Sequence, residues 1–456
     1  MFATTLMLVA ALAAEPATAA PAAPKTELST VTFQSTAPYM VVLPAGYDAT
    51  KKYPLVVMLH GRGSTLKDFA SYMSMLNKTD YIYVFTQAPF PYVLDEKSVG
   101  YAWSLWQDQA LMMRMGEESL RYLQGVIDKV VAAYPVAPGQ VYAFGHSQGG
   151  LMCYMLMLMP PATPLNGIVT SGGFLDDTLM PMLNNAERIP VLALHGTKDE
   201  VISYDSAVEL NKKLVELNYQ AQLISYPVGH TLTQEMLNDM DDFIARRWLV
   251  DPQSGSTPWM IKALQGDERA MEMIATGTQS GDPTTRSKAI KLLGFLPAPP
   301  AELELKIRKG FERNAGTEEM IAYCRAAAAA KIPTTLEQLA KIAKDKGRPA
   351  ELREAALSAL RRMHLPEADA AIADIPTCWK VTWVDPALQA AKLGILPDDV
   401  ILTAVGQEIK SADDLRKVMN DNEGKPVEIM IQRGKEKIKI AATGGRLGVR
   451  LMETPS

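Results

Sequence analysis

Gly145-His146-Ser147-Gln148-Gly149-Gly150 decides how the first half of the chain is read. Val141-Tyr142-Ala143-Phe144 before it has the continuous apolar character of a buried strand, and residues 151–159 after it that of a buried helix. A serine in the tight turn between such elements needs small neighbours, here Gly145 and Gly149. They permit the strained backbone that lifts the hydroxyl clear of a sheet. The same residues also suit an ordinary glycine-rich turn; the strand before and the helix after favour the nucleophile.

Upstream, residues 38–44 read as an early antiparallel strand, and residues 53–60 as a central parallel strand. The latter runs into His60-Gly61-Arg62-Gly63-Ser64-Thr65. Glycines in such a turn let backbone N–H groups come close to a substrate carbonyl. Another strand is expected at 81–86, followed by Gln87-Ala88-Pro89 and a loop over 100–106. Tyr101 and Trp103 in that loop are substrate-binding candidates on a pocket wall, or else part of a lid packed over the core. Residues 117–133 form an amphipathic helix, with Leu120, Leu123, Val126, Ile127 and Val130 at helical spacing.

Downstream, strands are expected at 167–171, 190–196 and 222–227, with a helix over 206–217. Alternation on this scale means an α/β fold: an open, mostly parallel sheet with helices on both faces. Asp199 falls in a loop at a strand's carboxyl end, and Val228-Gly229-His230 follows the last strand. The chain has five histidines. His60 and His195 sit in strand-end turns, His146 lies inside the elbow and His364 is in a helical stretch, which leaves His230 as the base. Ser147, Asp199, His230 is the chain order of a nucleophile–acid–base triad on such a sheet. Asp176 and Asp177 are rival acids, in a less well-marked turn.

From about residue 38 to 249 the chain resembles the phospholipase/carboxylesterase branch of the α/β hydrolases, which includes the acyl-protein thioesterases. The likeness rests on Leu59-His60-Gly61 with Gly63, Gln87-Ala88-Pro89, the Trp103 loop, the elbow, His195-Gly196-Thr197 with Asp199 and Val201, and Gly229-His230. It implies an α/β-hydrolase fold and a small acyl ester or thioester substrate. The oxyanion donors are expected to be the backbone N–H groups of Gln148 and, by resemblance, Arg62. Such chemistry calls for no metal and no organic cofactor.

Length and composition set the rest. With 456 residues, 48% of them hydrophobic, the chain has room for several domains. A formal charge of −5 and a pI near 5.7 argue against a nucleic-acid partner. The three scattered cysteines, Cys153, Cys324 and Cys378, read as buried thiols. The apolar start over 1–14 reads as part of a signal peptide and linker (1–25), hence export, or alternatively as an Ala-rich leader or retained anchor.

The domains expected after it are a hydrolase (26–250), a helical region (259–375) and a small β-rich module (376–456). In the helical region, residues 282–293 and 351–360 share a pattern that resembles HEAT-type repeats, though an irregular helical spacer fits as well. Residues 381–402, with the helix over 411–419 and strands over 427–432 and 437–441, resemble the core of a bacterial PDZ domain. That implies either a groove for a peptide C-terminus, with Leu447, Gly448 and Val449 as candidate contacts, or a purely structural module. Nothing in the residues sets an oligomeric state. Two functions follow: a serine carboxylic ester hydrolase working through an acyl-enzyme, or an inactive hydrolase-fold scaffold.

Overall fold

The computed structural model describes residues 36–94, 98–105, 109–296, 301–312, 316–385 and 388–456. The expected signal peptide and Trp106 lie outside the described residues. Ala37–Ser456 forms one compact unit. Among the described residues no helix is long and apolar enough to cross a membrane.

Its first region runs β1 (Tyr39–Val42), β2 (Tyr53–Leu59), α1 (Leu66–Ala70), β3 (Ile82–Thr86), β4 (Phe90–Val93), β5 (Val99–Ala102), α2 (Gln109–Ala133), β6 (Val136–His146), α3 (Gln148–Leu158), β7 (Gly167–Ser171), β8 (Val191–Gly196), α4 (Tyr204–Glu216), β9 (Ala221–Tyr226) and α5 (Gln234–Leu249). Seven of these strands make one sheet in the order β1-β3-β2-β6-β7-β8-β9. All its neighbours are parallel except β1, which runs antiparallel to β3. Successive strand residues point to opposite faces. Leu55, Val57 and Leu59 therefore enter the core under α2, α3 and α4, while Val56 and Met58 enter the core under α1 and α5.

The chain leaves β2 for β3 on one side and returns as β6 on the other. That reversal opens a crevice at the carboxyl ends of β2 and β6, where open sheets of this kind bind ligands. Both the His60 turn and the elbow begin there. The expected loop over 100–106 is corrected by β5, which pairs antiparallel with β4 from Phe90↔Ala102 to Val93↔Val99. Pro91 and Gly100 read as breakers, but an antiparallel two-stranded ribbon tolerates them.

Past the breaker-rich 251–258, the helices α6 (Pro258–Leu264), α7 (Glu268–Gly277), α8 (Pro283–Leu293), α9 (Ala301–Gly310), α10 (Thr317–Ala329), α11 (Leu336–Lys344), α12 (Ala350–Arg362) and α13 (Pro366–Ala373) follow, with no strand between them among the described residues. Asp267 and Asp282 cap α7 and α8 through their side chains. Ala326, Ala327 and Ala328 are fully or almost fully buried, so the alanine run packs α10 closely against its neighbours.

The last region holds β10 (Thr377–Val384), α14 (Gln389–Lys392), β11 (Val400–Ala404), β12 (Gln407–Glu408), α15 (Ala412–Asp421), β13 (Pro426–Arg433), β14 (Glu436–Thr443) and β15 (Val449–Pro455). They form a six-stranded sheet, β14-β13-β11-β10-β15, with β12 beside β11. Residues 446–449 were expected to follow the last strands. They lead instead into β15, which pairs antiparallel with β10. Leu447 is core here, 5% exposed, and Gly448 packs on Leu388. Cys153 and Cys324 are buried as expected, but Cys378 on β10 is partly exposed.

Candidate active site

The elbow sits as its sequence requires. Ser147 follows β6 directly and caps α3 with φ 56 and ψ −120, a backbone region costly for any residue but glycine. Close packing enforces it: a Cβ on Gly145 would lie 2.1 Å from the Gly149 carbonyl oxygen, and one on Gly149 would lie 2.3 Å from that of Leu59. Ser147 N–H donates to the Ser171 carbonyl at 2.8 Å, which ties the turn to β7.

Asp199 and His230 meet across neighbouring loops. His230 Nδ1 and Asp199 Oδ2 are 2.7 Å apart, with the acid side chain 1% exposed. Asp199 Oδ1 accepts from the Val201 and Ile202 N–H groups, each at 2.9 Å. Burial works to raise this carboxyl, but the His230 hydrogen bond and those backbone donors outweigh it and hold the acid below the ordinary range. An ionised acid only accepts, so the proton lies on Nδ1 and leaves Nε2 as the basic nitrogen. Among the described residues no hydrogen bond joins Ser147 Oγ to His230. The elbow reaches the pair through His146, whose ring centroid is 5.0 Å from that of His230. Catalytic hydrogen bonds are often loose before substrate binds.

His195 is a neighbour that chain order did not reveal. Its Nε2 lies 2.9 Å from the Ile202 carbonyl and 3.3 Å from Asp199 Oδ2, so the acid stands between two imidazoles. The only sequence signal was its position four residues before Asp199. Gly172, at φ 53, completes the enclosure: a Cβ there would lie 3.0 Å from His230 Cε1 and 3.3 Å from Asp199 Oδ2. Burial, then the nearby His230, pushes the His146 imidazole down to about 3. His146 therefore stays neutral and sets no like charge beside a protonated His230. Asp176, the rival acid, accepts from Thr178 in its own local turn.

The His60 turn packs against the elbow, with the Cβ position of Gly61 3.3 Å from Ser147 Cβ. Ala88 N–H donates to His60 Nε2 at 3.0 Å, so the ring proton is on Nδ1, which faces the Gly61 carbonyl at 2.8 Å. Burial lowers this imidazole to about 4 and keeps it neutral. Arg62 is exposed, its guanidinium 5.6 Å from the Tyr92 ring centroid. Gln148 is buried, and its side chain accepts from Trp103 N–H at 2.8 Å and donates to the Ser104 carbonyl at 2.7 Å.

Trp103, expected to contact substrate, is corrected: it is 0% exposed and its indole N–H donates to the His60 carbonyl at 2.8 Å. Its size and its polar edge brace the two turns from within. Tyr101 is partly exposed and pins the His60 turn by backbone bonds with Gly63 and Ser64 at 2.9 and 3.0 Å. No group of three or more His, Cys, Asp and Glu among the described residues is placed to hold a metal ion.

Residues 46–247 match the phospholipase/carboxylesterase family. Carboxylesterase SOBER1 of Arabidopsis thaliana is 27% identical over 133 residues, 28% of this chain and 58% of that protein. The probable carboxylesterase Os04g0669600 of Oryza sativa subsp. japonica is 27% identical over 233 residues, 48% of this chain and 97% of that protein. The probable inactive carboxylesterase Os04g0669700 of the same plant is 29% identical over 204 residues, 40% of this chain and 82% of that protein. The family match and the first two relatives support an ester-hydrolysing serine hydrolase in the first region, and none of the three relatives spans more than about half of the chain.

Proposed function

We propose that the chain is a serine carboxylic ester hydrolase in which Ser147, His230 and Asp199 act as nucleophile, base and acid. The observation that carries this reading is the conjunction of a strained Ser147 with a 2.7 Å Asp199–His230 pair whose imidazole packs on His146 of the same elbow, ring centroids 5.0 Å apart. His230 Nε2 takes the Ser147 proton as Oγ attacks the acyl carbonyl, then delivers it to the departing alkoxide or thiolate. Asp199 holds the imidazole's tautomer and stabilises the imidazolium. The developing oxyanion is met by the backbone N–H groups of Gln148 and Arg62. Water, activated by the same imidazole, then releases the acid from Ser147. The cycle calls for no metal and no organic cofactor.

The substrate class we infer is a small acyl ester or thioester. Around this centre, the helical region is read as HEAT-like and the last sheet as a PDZ-like module able to receive a peptide C-terminus, and the first 25 residues as an export signal with its linker. The rival reading is a hydrolase fold that serves as a scaffold, and one relative named as inactive favours keeping it in view.

A fluorophosphonate probe separates the two, since it reacts only with an activated serine. The wild-type chain is expected to label and to turn over a short-chain p-nitrophenyl ester. Ser147→Ala should do neither, with turnover lower by about 10⁶-fold. A wild-type chain that stays unlabelled, or an alanine variant that labels as well, overturns the reading.

A further inference from the structure

The ester hydrolase proposed above uses no residue beyond His230, yet the last sheet reaches back to α1, the helix that follows the turn carrying Arg62. Arg450 on β15 projects its guanidinium onto the end of α1. Its Nε donates to Ser71 Oγ and its Nη2 to the Asp68 carbonyl, both at 2.8 Å. The plane of the group lies over Tyr72, 3.4 Å from the ring centroid. Arg446, just before the strand, pairs with Asp68 Oδ2 at 2.9 Å, an acid whose side chain is 16% exposed. Charge-assisted bonds to partly desolvated acceptors are among the stronger polar contacts, and a planar fork that meets two acceptors fixes orientation as well as distance.

What these arginines hold is continuous with the oxyanion turn. Thr65 caps α1, its Oγ1 accepting from Asp68 N–H at 3.1 Å, and it follows directly on the Gly61–Ser64 turn. The near side of the turn is fixed by the first region itself, through Tyr101 and through Gln87 Oε1, which accepts from Leu66 N–H at 2.9 Å. The far side is fixed by Arg450. An oxyanion donor must sit at the position the oxygen reaches in the transition state, and misplacement lowers turnover without weakening ground-state binding.

We propose that Arg450 is a positioning residue for the ester hydrolysis, through which the C-terminal sheet holds α1 and keeps the Arg62 N–H in place. This rests on the function proposed above. The test uses the full chain, with sites counted by fluorophosphonate labelling taken to completion, and kcat expressed per labelled site. Arg450→Ala is expected to lower kcat per site about tenfold, a fraction of what a whole donor is worth, with KM unchanged. Arg450→Lys keeps the charge over Tyr72 but cannot span both acceptors, so it should recover part of the loss. Ser71→Ala should cost a few-fold alone, and the double variant should lose less than the product of the two losses, because Ser71 Oγ shares its contact with Arg450 and separately donates to the Asp68 carbonyl at 2.5 Å.

Arg450→Ala with wild-type kcat per site overturns the proposal. So does a loss of labelled sites with full kcat in those that remain, since that is a folding defect, and so does strict additivity with Ser71→Ala. A wild-type chain that neither labels nor turns over sinks the hydrolase reading and this inference together. Turnover in the wild type with no effect at Arg450 sinks this inference alone.

Discussion

Among the described residues, two largely buried groups bring acids and histidines together, and one of them lies against the elbow that carries the strained Ser147. At the carboxyl ends of the sheet, Asp199 touches His230 and His195, and the elbow lies alongside. Where α5 meets α12, Asp239 accepts from the Tyr226 hydroxyl at 2.5 Å and from Arg362 Nε at 3.1 Å, with His364 Nε2 3.7 Å away. Arg362 is also bonded to Asp242. The residue types overlap, but the second cluster is closed by a guanidinium that cannot give up its proton. In the first, the His230 ring packs on His146 of the elbow that carries the strained Ser147. What sets the two groups apart is the third partner, an elbow serine beside one and a guanidinium within the other.

Asp199→Asn and Asp239→Asn together test that contrast most sharply. The first variant should keep its fold and lose about 10⁴-fold in kcat, because an amide at 199 no longer enforces the tautomer that leaves Nε2 basic. The second should keep kcat per labelled site within about twofold and lose stability instead. Ester turnover and urea unfolding on both variants read out the difference. A large turnover loss in Asp239→Asn erases it.

Arg362→Ala attacks the cohesive cluster from its cationic side. Asp239 is held below the ordinary carboxylate range: burial opposes this, but His364 and Arg362 outweigh it. Asp242 is pushed up, chiefly by burial. Removing the guanidinium leaves both acids buried without their cation, which typically costs about 3–5 kcal/mol. The unfolding midpoint in urea should fall accordingly, with kcat per labelled site retained in the chain that remains folded. A shift smaller than about 1 kcal/mol would mean that α12 contributes nothing through this contact.

Acid separates the two clusters a third way. In the unfolded chain His60 takes up a proton near pH 6.5, while in the folded chain burial delays that to about 4. The folded state is therefore unpenalised above about 6.5 and is progressively destabilised between about 6.5 and 4, by about 3 kcal/mol in all. Asp239, held low, stays ionised across that window, while the buried His146 adds to the loss in the same sense and Asp242, pushed up, opposes it. His60→Asn should flatten the pH dependence of the urea midpoint between pH 7 and 5 relative to wild type. An unchanged slope would locate the acid sensitivity elsewhere.

Much of the first cluster was legible in the sequence, and the second was not. Apolar strand runs at 53–59, 141–144 and 191–194 and the glycines at 145 and 149 are local signals, so the sheet and elbow could be placed from composition and spacing. Ser147, Asp199 and His230 each sit at a strand's end, where chain order carries information. Trp103 gave no such handle, because an aromatic residue near a breaker reads alike whether it lines a pocket or fills a core. β15 was hidden by the lack of a clean apolar alternation, with Arg450, Glu453 and Thr454 interrupting it, and by a partner, β10, some seventy residues earlier. His364 was set aside as helical, and its approach to Asp239 depends on helix docking that no local pattern encodes.

The smallest expected effect tests whether the clusters speak to each other, since α5 starts just after the His230 loop and carries the acids of the second. Its N-cap, Thr233, follows the His230 loop, and its second and third turns carry Asp239 and Asp242. Thr233 Oγ1 accepts from Met236 N–H at 3.3 Å, and Met236 Sδ in turn lies 3.5 Å from Ser171 Oγ beneath the elbow. Thr233→Ala removes the cap, which is worth about 1 kcal/mol of stability. If the His230 loop is fixed by its own contacts with Asp199, the frayed first turn should leave kcat within about twofold while the urea midpoint falls by that amount. The bond of Asp199 to two backbone donors and two imidazoles favours this outcome, because the acid's position does not depend on α5. A tenfold fall in kcat at the same stability cost would instead make α5 a strut between the helical region and the base, and the two clusters one device.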